Sequence, residues 1–534
     1  MNTIQTIRDA AVPMRDGLNL AANIYLPDAP GKYPVIMAFT GFGKDAYWGP
    51  QHDGWGFAYE PWSPPMTGSI TFEANDPAYW CQYGYAIMIA DPRGFGRSPG
   101  TRALAKIDGA PGEQAIMKEG RWARDQYDTI EWTAAQDWCD GNIALSGVSI
   151  YAFSQWRVAG MKPPHLKCIN PWEGMTDFYR DCKFPGGIPE TKFTLPDGEF
   201  CHKMTEDAPA WPAPEQENPP EPDPKDEDDF LAEITLPTLI SGNWTDHGCH
   251  TRGSFRAFRK ISSAQKWLYT HGRQKWGTFY SSEARTLRKL FFDHFLKGED
   301  DRILSLPRVS LMVMEDKNKF SQRWAEDYPV PEALPRELWA DAAAGKLLPG
   351  PAASEGSVSY DARNGHAAFE HTFVRDTELI GSSALRLYVS TNEGDDMDIF
   401  VTFRKIGADG KERYLDGWIT PGIQPVALGW LKLSRSMLDP GRSTPLEPYP
   451  LCVTGEGKKI KPGEIVLCEI PILPTAILFR AGETLRAEVS GAYRSGETLD
   501  SQGFKYDSAV NRGIHTIFSG GDFPSRLLLP LHEI

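Results

Sequence analysis

The chain has 534 residues, of which 41% are hydrophobic and 12% aromatic, and its formal net charge at pH 7 is −15. This composition is unlike that of a disordered chain and is enough for about two to four packed domains. The acidic balance argues against nucleic acid or an anionic membrane surface as the main partner. No apolar run approaches the roughly 20 residues that cross a bilayer. No secretory signal is visible at the N-terminus, so we expect a cytoplasmic protein that does not bind a membrane.

The first third of the chain alternates predicted strands and helices. An Asp16-Gly17 turn lies within a predicted β-hairpin over residues 9–27. Continuous apolar runs at 33–39 and 85–90 predict strands that are buried on both faces. The segment 125–132 has apolar residues at helical spacing. This order implies a parallel sheet with right-handed crossovers.

The stretch from Trp138 to Trp156 predicts a strand, a sharp turn and a helix, with Ser149 at the apex. Such a turn strains the backbone at the serine and holds its hydroxyl clear of the sheet, as a nucleophile requires. Gly147 fits the first glycine of the G-x-S-x-G pattern, but Tyr151 stands where the second would be. The pentapeptide alone therefore leaves open an ordinary glycine-serine turn before a helix.

Two residues that follow later predicted strands are candidate partners for Ser149. Asp246 comes just after the strand predicted over Thr238 to Ser241, and His271 comes just after the strand predicted over Trp267 to Tyr269. In hydrolases with a parallel sheet, the chain order is serine, acid, histidine, and the last two lie on loops at the carboxyl ends of strands. Both residues meet that condition. In isolation, Asp246 could instead cap a helix, and His271 could be an ordinary turn histidine.

Two nearby histidines are rivals of His271. His247 and His250 lie on the helix predicted after Asp246, and we expect them to pack or to face solvent. With Asp246 they could also form a metal site, because residues three apart share a helix face. The eight cysteines are scattered without a C-x-x-C pair, and without a secretory signal they are expected to be reduced and mostly buried. The sequence predicts no metal and no cofactor.

The sequence resembles the cocaine esterase-like (CocE/NonD) hydrolases, relatives of the X-Pro dipeptidyl-peptidases and the α-amino acid ester hydrolases. The resemblance runs the whole length of the chain. It rests on Met14-Arg-Asp-Gly17, Leu20-Ala-Ala, Tyr25-Leu-Pro27, Asp91-Pro-Arg-Gly94 with Gly96 and Ser98, Tyr127-Asp-Thr-Ile-Glu-Trp132, Trp138-Cys-Asp-Gly-Asn142, Gly147-Val-Ser149, Pro237-Thr-Leu-Ile with Trp244 and Asp246, His271-Gly272, and Phe523-Pro-Ser-Arg-Leu-Leu-Leu-Pro530.

The resemblance implies an α/β fold: an α/β-hydrolase domain with an inserted helical cap, plus a C-terminal all-β jelly-roll domain. The sequence pattern agrees, since short alternating runs replace helical segments from about residue 305. We place the α/β-hydrolase domain at 1–160 and 236–330, the cap at 161–235, and the jelly roll at 331–534. The acidic, proline-rich run at 213–230 is expected to be a solvated connection within the cap.

By the same resemblance, Ser149 is the nucleophile and His271 is the general base that later protonates the leaving group. Asp246 would orient His271, and the backbone N–H of Ile150 would be one donor of the oxyanion hole. The family's elbow usually reads G-x-S-Y. Ile150 replaces that tyrosine here, without cost if only its backbone donates.

A second departure concerns the other oxyanion donor. The family commonly has a Pro-Tyr pair after the strand that ends near Thr40, and the tyrosine hydroxyl donates. Here the pair is Gly41-Phe42, and Phe42 has no hydroxyl. Losing one such donor costs about 10²–10³ in rate. We expect a backbone N–H near Phe42 or Gly43 to substitute; otherwise Tyr47 swings in or activity is low.

Aromatic residues near these motifs are candidates for the substrate pocket: Trp48, Trp172, Trp244 and Trp276. An aromatic pocket suits an apolar or aromatic acyl group. Glu173 and Asp177 could meet a substrate amine, although surface ion pairs explain them equally well.

The sequence is compatible with three hypotheses about function. The first is a serine hydrolase that cleaves a small-molecule carboxylic ester or amide through an acyl-enzyme. The second is an aminopeptidase that releases X-Pro dipeptides, which needs an acceptor for the free amine. The third is a non-catalytic binding protein on a hydrolase scaffold. Apolar strands in the C-terminal domain could cover the active-site rim or form a homo-oligomer.

Overall fold

The structure, a computed structural model, describes residues 4–48, 70–100, 120–193, 221–222, 228–317, 319–417, 423–453, 459–494 and 504–534. Within these ranges, no helix combines the length and the apolar character needed to cross a membrane. All seven cysteines in the described part of the chain are buried, as predicted.

A mostly parallel sheet forms the first part of the molecule. Its strands are β1 Ile4–Pro13, β2 Asn19–Pro27, β3 Tyr33–Phe39, β4 Tyr47–Trp48, β5 Ile70–Thr71, β6 Ala86–Ala90, β7 Cys139–Val148, β8 Leu166–Trp172, β9 Thr238–Asn243, β10 Lys266–His271 and β11 Val309–Asp316, with β4 and β5 as a separate two-stranded pair. The hairpin β1–β2 is antiparallel, and β2 pairs antiparallel with β6. The order then runs β6, β3, β7, β8, β9, β10, β11, with every neighbouring pair parallel.

The helices that connect these strands are α1 Pro77–Cys81, α2 Arg121–Ala134, α3 Ile150–Gly160, α4 Thr251–Lys260, α5 Lys275–Tyr280 and α6 Ser282–Phe292. The predicted hairpin, buried strands and helices are therefore confirmed. β3 and β6 are almost wholly buried along their length, as is typical of central strands in a parallel sheet. The carboxyl ends of β7, β8, β9 and β10 meet at one edge, which is where parallel sheets carry their sites.

The region predicted as a cap is described only in part. Residues 161–193 contain β8 and two short helical turns, Tyr179–Lys183 and Pro185–Gly187. A further turn, Asp228–Glu233, precedes β9. Most of the acidic, proline-rich run lies outside the described residues. The boundary at 161 therefore places one strand of the central sheet, β8, on the cap side.

The C-terminal part is mostly sheet. Its strands are β12 Lys319–Ala325, β13 Leu334–Asp341, β14 Lys346–Leu348, β15 Gly356–Asp361, β16 His366–Thr372, β17 Thr377–Thr391, β18 Asp398–Ile406, β19 Glu412–Arg413, β20 Leu415–Asp416, β21 Ile423–Gln424, β22 Ala427–Lys432, β23 Val466–Phe479, β24 Thr484–Ser490, β25 Ile514–Ser519 and β26 Arg526–Glu533. The long strand β17 pairs antiparallel with β23, β25 and β26. A second set joins β16, β24, β18 and β22, also antiparallel.

The two parts are joined through strand pairing and through close packing beside the site. β11 pairs with β10 on one side and reaches β23 at Met314 and Ile477 on the other. A Cβ placed on Gly248 would overlap the ring of Phe504, which belongs to the C-terminal part. The C-terminal region therefore packs directly against the loop that follows β9.

Candidate active site

The elbow at Ser149 has the backbone predicted for it. Ser149 lies between β7 and α3 with φ 58° and ψ −114°, a conformation that is costly for a residue with a side chain. Its N–H donates to the carbonyl of Trp172 at the end of β8, at 3.0 Å. Its hydroxyl makes no capping bond to the helix, which leaves Oγ available for another partner.

Close packing between β7 and α3 accounts for Gly147, the first glycine of the pattern. A Cβ on Gly147 would lie 2.5 Å from Cβ of Tyr151, so the first glycine is required by the close approach of strand and helix. Tyr151 is buried, and its hydroxyl donates to the carbonyl of Phe72 at 2.8 Å. The tyrosine at this position therefore anchors α3 to the loop after β5.

The imidazole that faces Ser149 belongs to His250. Oγ of Ser149 lies 3.1 Å from Nε2 of His250, and Nδ1 of the same ring lies 2.5 Å from Oδ2 of Asp246. The histidine and the aspartate are both buried. With the proton on Nδ1 donated to Asp246, Nε2 is free to accept the hydroxyl proton of Ser149. These three side chains form a continuous hydroxyl–imidazole–carboxylate chain.

One tight turn after β9 brings His250 back to Asp246. The backbone N–H groups of Cys249, His250 and Thr251 all approach the carbonyl of Asp246, at 3.3, 3.3 and 3.2 Å. Thr251 also donates from Oγ1 to the carbonyl of Asn243 at 2.7 Å. Residues four apart in a helical turn lie on one face, so Asp246 and His250 project together.

His271 takes a different place from the one predicted. It ends β10 fully buried, and its Nε2 lies 3.0 Å from Oε1 of Glu173, within ion-pair distance but not aligned as a hydrogen bond. Its ring stacks on Trp172 with centroids 6.1 Å apart, and its carbonyl accepts the N–H of Trp244 at 2.7 Å. His271 therefore does not contact Ser149 as predicted. Its side chain, at the end of β10, points into the core.

His247 and His250 also differ in their surroundings. Both are buried, as packing histidines would be, but His250 contacts the serine and the aspartate rather than only core atoms. Burial lowers the pKa of His247 to about 4, so its ring is neutral near pH 7. Within the described residues, no three His, Cys, Asp or Glu side chains are grouped as metal ligands would be.

Lys275, the first residue of α5, completes the cluster. Its ammonium nitrogen lies 2.8 Å from Oδ2 of Asp246 and 3.0 Å from Nδ1 of His250. The side chain is 1% exposed. Burial raises the pKa of Asp246, but the charges of Lys275 and His250 outweigh it and leave that pKa well below its ordinary range. Burial likewise lowers the pKa of Lys275, but Asp246 and the neighbouring glutamates outweigh it, so the ammonium stays charged.

The candidate oxyanion donors differ in whether their N–H groups already have a hydrogen-bond partner. Ile150 is the first residue of α3, so its N–H belongs to the unpaired first turn and faces the serine side of the helix. The N–H of Phe42 donates to Oγ1 of Thr40 at 2.9 Å and is therefore already occupied. Gly43 has φ +98°, and its N–H has no hydrogen-bond partner among the described residues. The side chain of Tyr47 lies outside what the structure describes.

The loop that carries Gly43 approaches the elbow through Gly41. A Cβ on Gly41 would overlap Cδ1 of Ile150. The absence of a side chain at Gly41 therefore lets the loop after β3 come close to the first turn of α3, where two backbone N–H groups could face one oxygen.

The four tryptophans predicted to line a pocket have separate environments. Trp244 stacks on Phe255 with centroids 4.1 Å apart and donates to the carbonyl of Met312, so it packs in the core. Trp172 is fully buried between Tyr269 and His271. The side chain of Trp48 lies outside the described residues. Trp276 is the one of the three described tryptophans that joins the rings beside the elbow.

These rings form a continuous row. Trp276 lies 5.6 Å from Phe72, Phe72 lies 5.1 Å from Phe42, and Phe42 lies 6.2 Å from Tyr151, measured between centroids. Phe42 is only partly buried. Trp276, Phe72 and Tyr151 are buried, so Phe42 is the partly exposed member of an apolar row beside the elbow.

Two buried glutamates flank the cluster. Glu73 accepts the indole N–H of Trp276 at 3.0 Å, and its carbonyl accepts the N–H of Val148, next to the serine. Burial raises the pKa of Glu73 to about 8. Glu173 accepts from the amide of Asn243 at 3.0 Å. Both glutamates have positive φ, 63° and 53°, a strain that is often found at functional sites.

The sequence missed His250 and Lys275. The sequence pattern favours a packing role for His250, because it lies on a predicted helix rather than on a loop after a strand. Its position four residues after Asp246 was the available signal, since that spacing returns a side chain to the same face. Lys275 carried no such signal, because nothing in the sequence relates the start of α5 to Asp246.

Two family matches cover most of the chain. Residues 16–216 match the X-Pro dipeptidyl-peptidase (S15 family), and residues 302–528 match the X-Pro dipeptidyl-peptidase C-terminal non-catalytic domain. Cocaine esterase from Rhodococcus sp. (strain MB1 Bresler) is 27% identical over 381 residues, a match that spans 60% of this chain and 60% of that protein.

Solved structures extend the likeness over the full length. A CocE/NonD family hydrolase from Staphylococcus aureus is 34% identical, with a TM-score of 0.87, and the match covers 99% of this chain and 94% of that one. An aminopeptidase from the marine sediment archaeon Thaumarchaeota archaeon shares the fold at 15% identity, with a TM-score of 0.73 and coverage of 100% and 97%. The chain belongs to the CocE/NonD family of hydrolases.

Proposed function

We propose that this protein is a serine hydrolase that cleaves carboxylic esters or amides with an apolar acyl group through an acyl-enzyme, with Ser149 as nucleophile, His250 as general base and Asp246 as its orienting carboxylate. The observation that carries the proposal is the continuous chain of contacts from Ser149 to His250 to Asp246, at 3.1 and 2.5 Å. This assignment keeps two predicted members and replaces His271 by His250.

The chemistry follows from these positions. Oγ of Ser149 attacks the carbonyl carbon while Nε2 of His250 takes its proton, and Asp246 stabilises the imidazolium that forms. The oxyanion accepts from the N–H groups of Ile150 and Gly43. Collapse of the tetrahedral intermediate expels the leaving group, which takes the proton from Nε2. Water then hydrolyses the acyl-serine, again with His250 as the base.

The strained serine between a strand and a helix supports an α/β-hydrolase assignment for the parallel-sheet region, and the antiparallel strand sets support a jelly roll for the C-terminal region. An X-Pro aminopeptidase would need a carboxylate for the substrate amine. The two carboxylates suggested for that purpose are already engaged: Asp177 lies 2.8 Å from Arg180, and Glu173 contacts Asn243 and His271. This favours ester or simple amide substrates.

Active-site labelling tests the proposal. A fluorophosphonate probe should label the wild type and fail to label Ser149→Ala. Ser154→Ala is the matched control, because Ser154 lies on α3 with its hydroxyl directed at the carbonyl of Tyr151, and it should label normally. Equal labelling of Ser149→Ala would contradict the proposal.

Substrate class is tested separately. We expect turnover of p-nitrophenyl esters that increases with the apolar character of the acyl group, and little turnover of Gly-Pro-p-nitroanilide. Preference for the dipeptide anilide would favour the peptidase reading, and labelling without turnover of either would call for a larger panel of acyl donors before the substrate class is assigned.

A further inference from the structure

Lys275 occupies a position that needs an explanation. It is the first residue of α5, where the positive end of the helix dipole disfavours a cation, and its side chain is 1% exposed. Burying an ammonium is costly unless it is paired. It pairs with the buried carboxylate of Asp246, at 2.8 Å. The chain thus places a buried cation at the carboxylate of the proposed relay.

The Asp246 carboxylate depends on this contact. Oδ2 receives both His250 and Lys275, whereas Oδ1 is buried without a hydrogen-bond partner among the described residues. Among the described residues, removing the lysine would leave the imidazole of His250 as the partner of the carboxylate. A carboxylate that can rotate orients the imidazole less well.

Lys275 also places a charge beside the base. Its nitrogen lies 3.0 Å from Nδ1 of His250, the ring nitrogen that bears a proton in both charge states of the catalytic cycle. A cation at this distance disfavours the imidazolium relative to the neutral ring. Burial and Lys275 lower the pKa of His250, and the charges of Cys249 and Asp246 outweigh them and raise it. Lys275 therefore limits how far the base is pushed towards its inactive, protonated form.

We propose that Lys275 is a positioning residue of the relay, whose ammonium fixes the Asp246 carboxylate and weakens the His250 imidazolium so that the base is available at lower pH. The inference rests on the proposed function and names a fourth member of its site. The segment that follows β10 thus contributes Lys275 to the relay, whereas His271, at the end of β10, lies in the core.

The test is the pH profile of kcat/KM for a p-nitrophenyl ester. Lys275→Met keeps the length of the side chain and removes the charge, and Lys275→Gln is measured in parallel as a second neutral variant. Loss of the cation should move the acid limb of the profile to higher pH by about one unit or more. Activity should recover at high pH, and Lys275→Arg should restore the wild-type midpoint.

Other titratable groups face His250 and must be controlled. Asp246 and Cys249 lie on its own segment, and Glu73 lies on the loop after β5. Because the pKa of Glu73 is about 8, its titration falls in the same window. The shift caused by Lys275→Met should persist in a Glu73→Gln background.

A uniform loss of activity with an unchanged midpoint, in variants that melt as the wild type does, would overturn the inference and leave Lys275 a structural residue. An unchanged rate would overturn it too. The proposed function fails under a different result, namely activity retained in Ser149→Ala or His250→Gln. The two failures are therefore distinguishable.

Discussion

Asp246 and His250 are four residues apart and are joined by a 2.5 Å contact between Oδ2 and Nδ1. The acid and the proposed base therefore come from one turn of backbone, closed by N–H groups that approach the carbonyl of Asp246. A relay built in this way has a fixed acid–base distance, because both side chains move together with the turn. Its position relative to Ser149 depends on what packs against that turn.

Phe504, in the C-terminal part, packs against that turn at Gly248. We therefore expect changes at this contact to alter catalysis. A Cβ on Gly248 would overlap the Phe504 ring, so Gly248→Ala should displace the turn that carries His250. We expect kcat/KM of Gly248→Ala to fall about tenfold or more, because small displacements of catalytic groups are costly.

The double variant Gly248→Ala, Phe504→Ala is the control for that prediction. It removes the overlapping ring and should recover much of the lost activity. A double variant no better than the single one, with both folded by circular dichroism, would show that contact with Phe504 does not position the turn.

Gly41 lies so close to Ile150 that a substitution at one residue should be compensated by a substitution at the other. A Cβ at residue 41 would overlap Cδ1 of Ile150, whereas Cγ1 and Cγ2 would lie at 3.5 and 3.6 Å, ordinary contact distances. Gly41→Ala should push the loop with Gly43 away from the elbow and lower kcat by about 10²-fold, as expected for loss of one oxyanion donor.

Ile150→Val removes Cδ1 and leaves the backbone donor in place. The double variant Gly41→Ala, Ile150→Val should therefore regain most of the rate, and Ile150→Val alone should behave like the wild type. If the alanine variant is fully active, the close approach of loop and elbow has no role in the oxyanion hole.

Phe42→Tyr tests whether the oxyanion hole already has two donors. With the N–H of Gly43 as the second donor, a new hydroxyl adds little, and we expect kcat for a p-nitrophenyl ester to change by less than about threefold. A gain of about tenfold or more would mean that the hole is incomplete in the natural chain, as losing a single donor costs about 10²–10³.

The pH dependence follows from the surroundings of His250. The free-enzyme base must be neutral, and its pKa is raised above the ordinary 6.5 because the charges of Cys249 and Asp246 outweigh burial and Lys275. The imidazolium therefore persists to higher pH than in an isolated histidine, and kcat/KM should rise with pH through a midpoint above 6.5. A profile that is already flat from pH 6 upwards would contradict this environment.

Much of the architecture could be predicted from the sequence, because burial on both faces leaves continuous apolar runs in β3 and β6 and the Asp16-Gly17 turn marks the first hairpin. The elbow could also be predicted, because the close approach of strand and helix requires a small residue at position 147, and the sequence has Gly147 there, two residues before Ser149. The sequence also makes Asp246 a candidate, because it follows a recognisable strand.

The identity of the base could not be decided in the same way. His271 and His250 both lie beyond carboxyl ends of parallel strands, and which one reaches Ser149 depends on how a single turn closes. Contacts with Glu173 and Trp172 draw His271 into the core, and these partners come from the end of β8, distant in sequence. The pocket residues could not be predicted for the same reason. Trp244 packs against Phe255 and Trp172 packs against Tyr269, and these contacts cannot be inferred from the sequence.

The most direct measurement is the hydrolysis of a p-nitrophenyl ester by two matched variants, His250→Gln and His271→Gln, each normalised to folded protein by a thermal melt. We expect His250→Gln to lose on the order of 10³-fold or more in kcat/KM, whereas His271→Gln should melt at lower temperature but keep kcat/KM within about tenfold of the wild type. The reverse pattern, with activity retained in His250→Gln and lost in folded His271→Gln, would contradict this expectation.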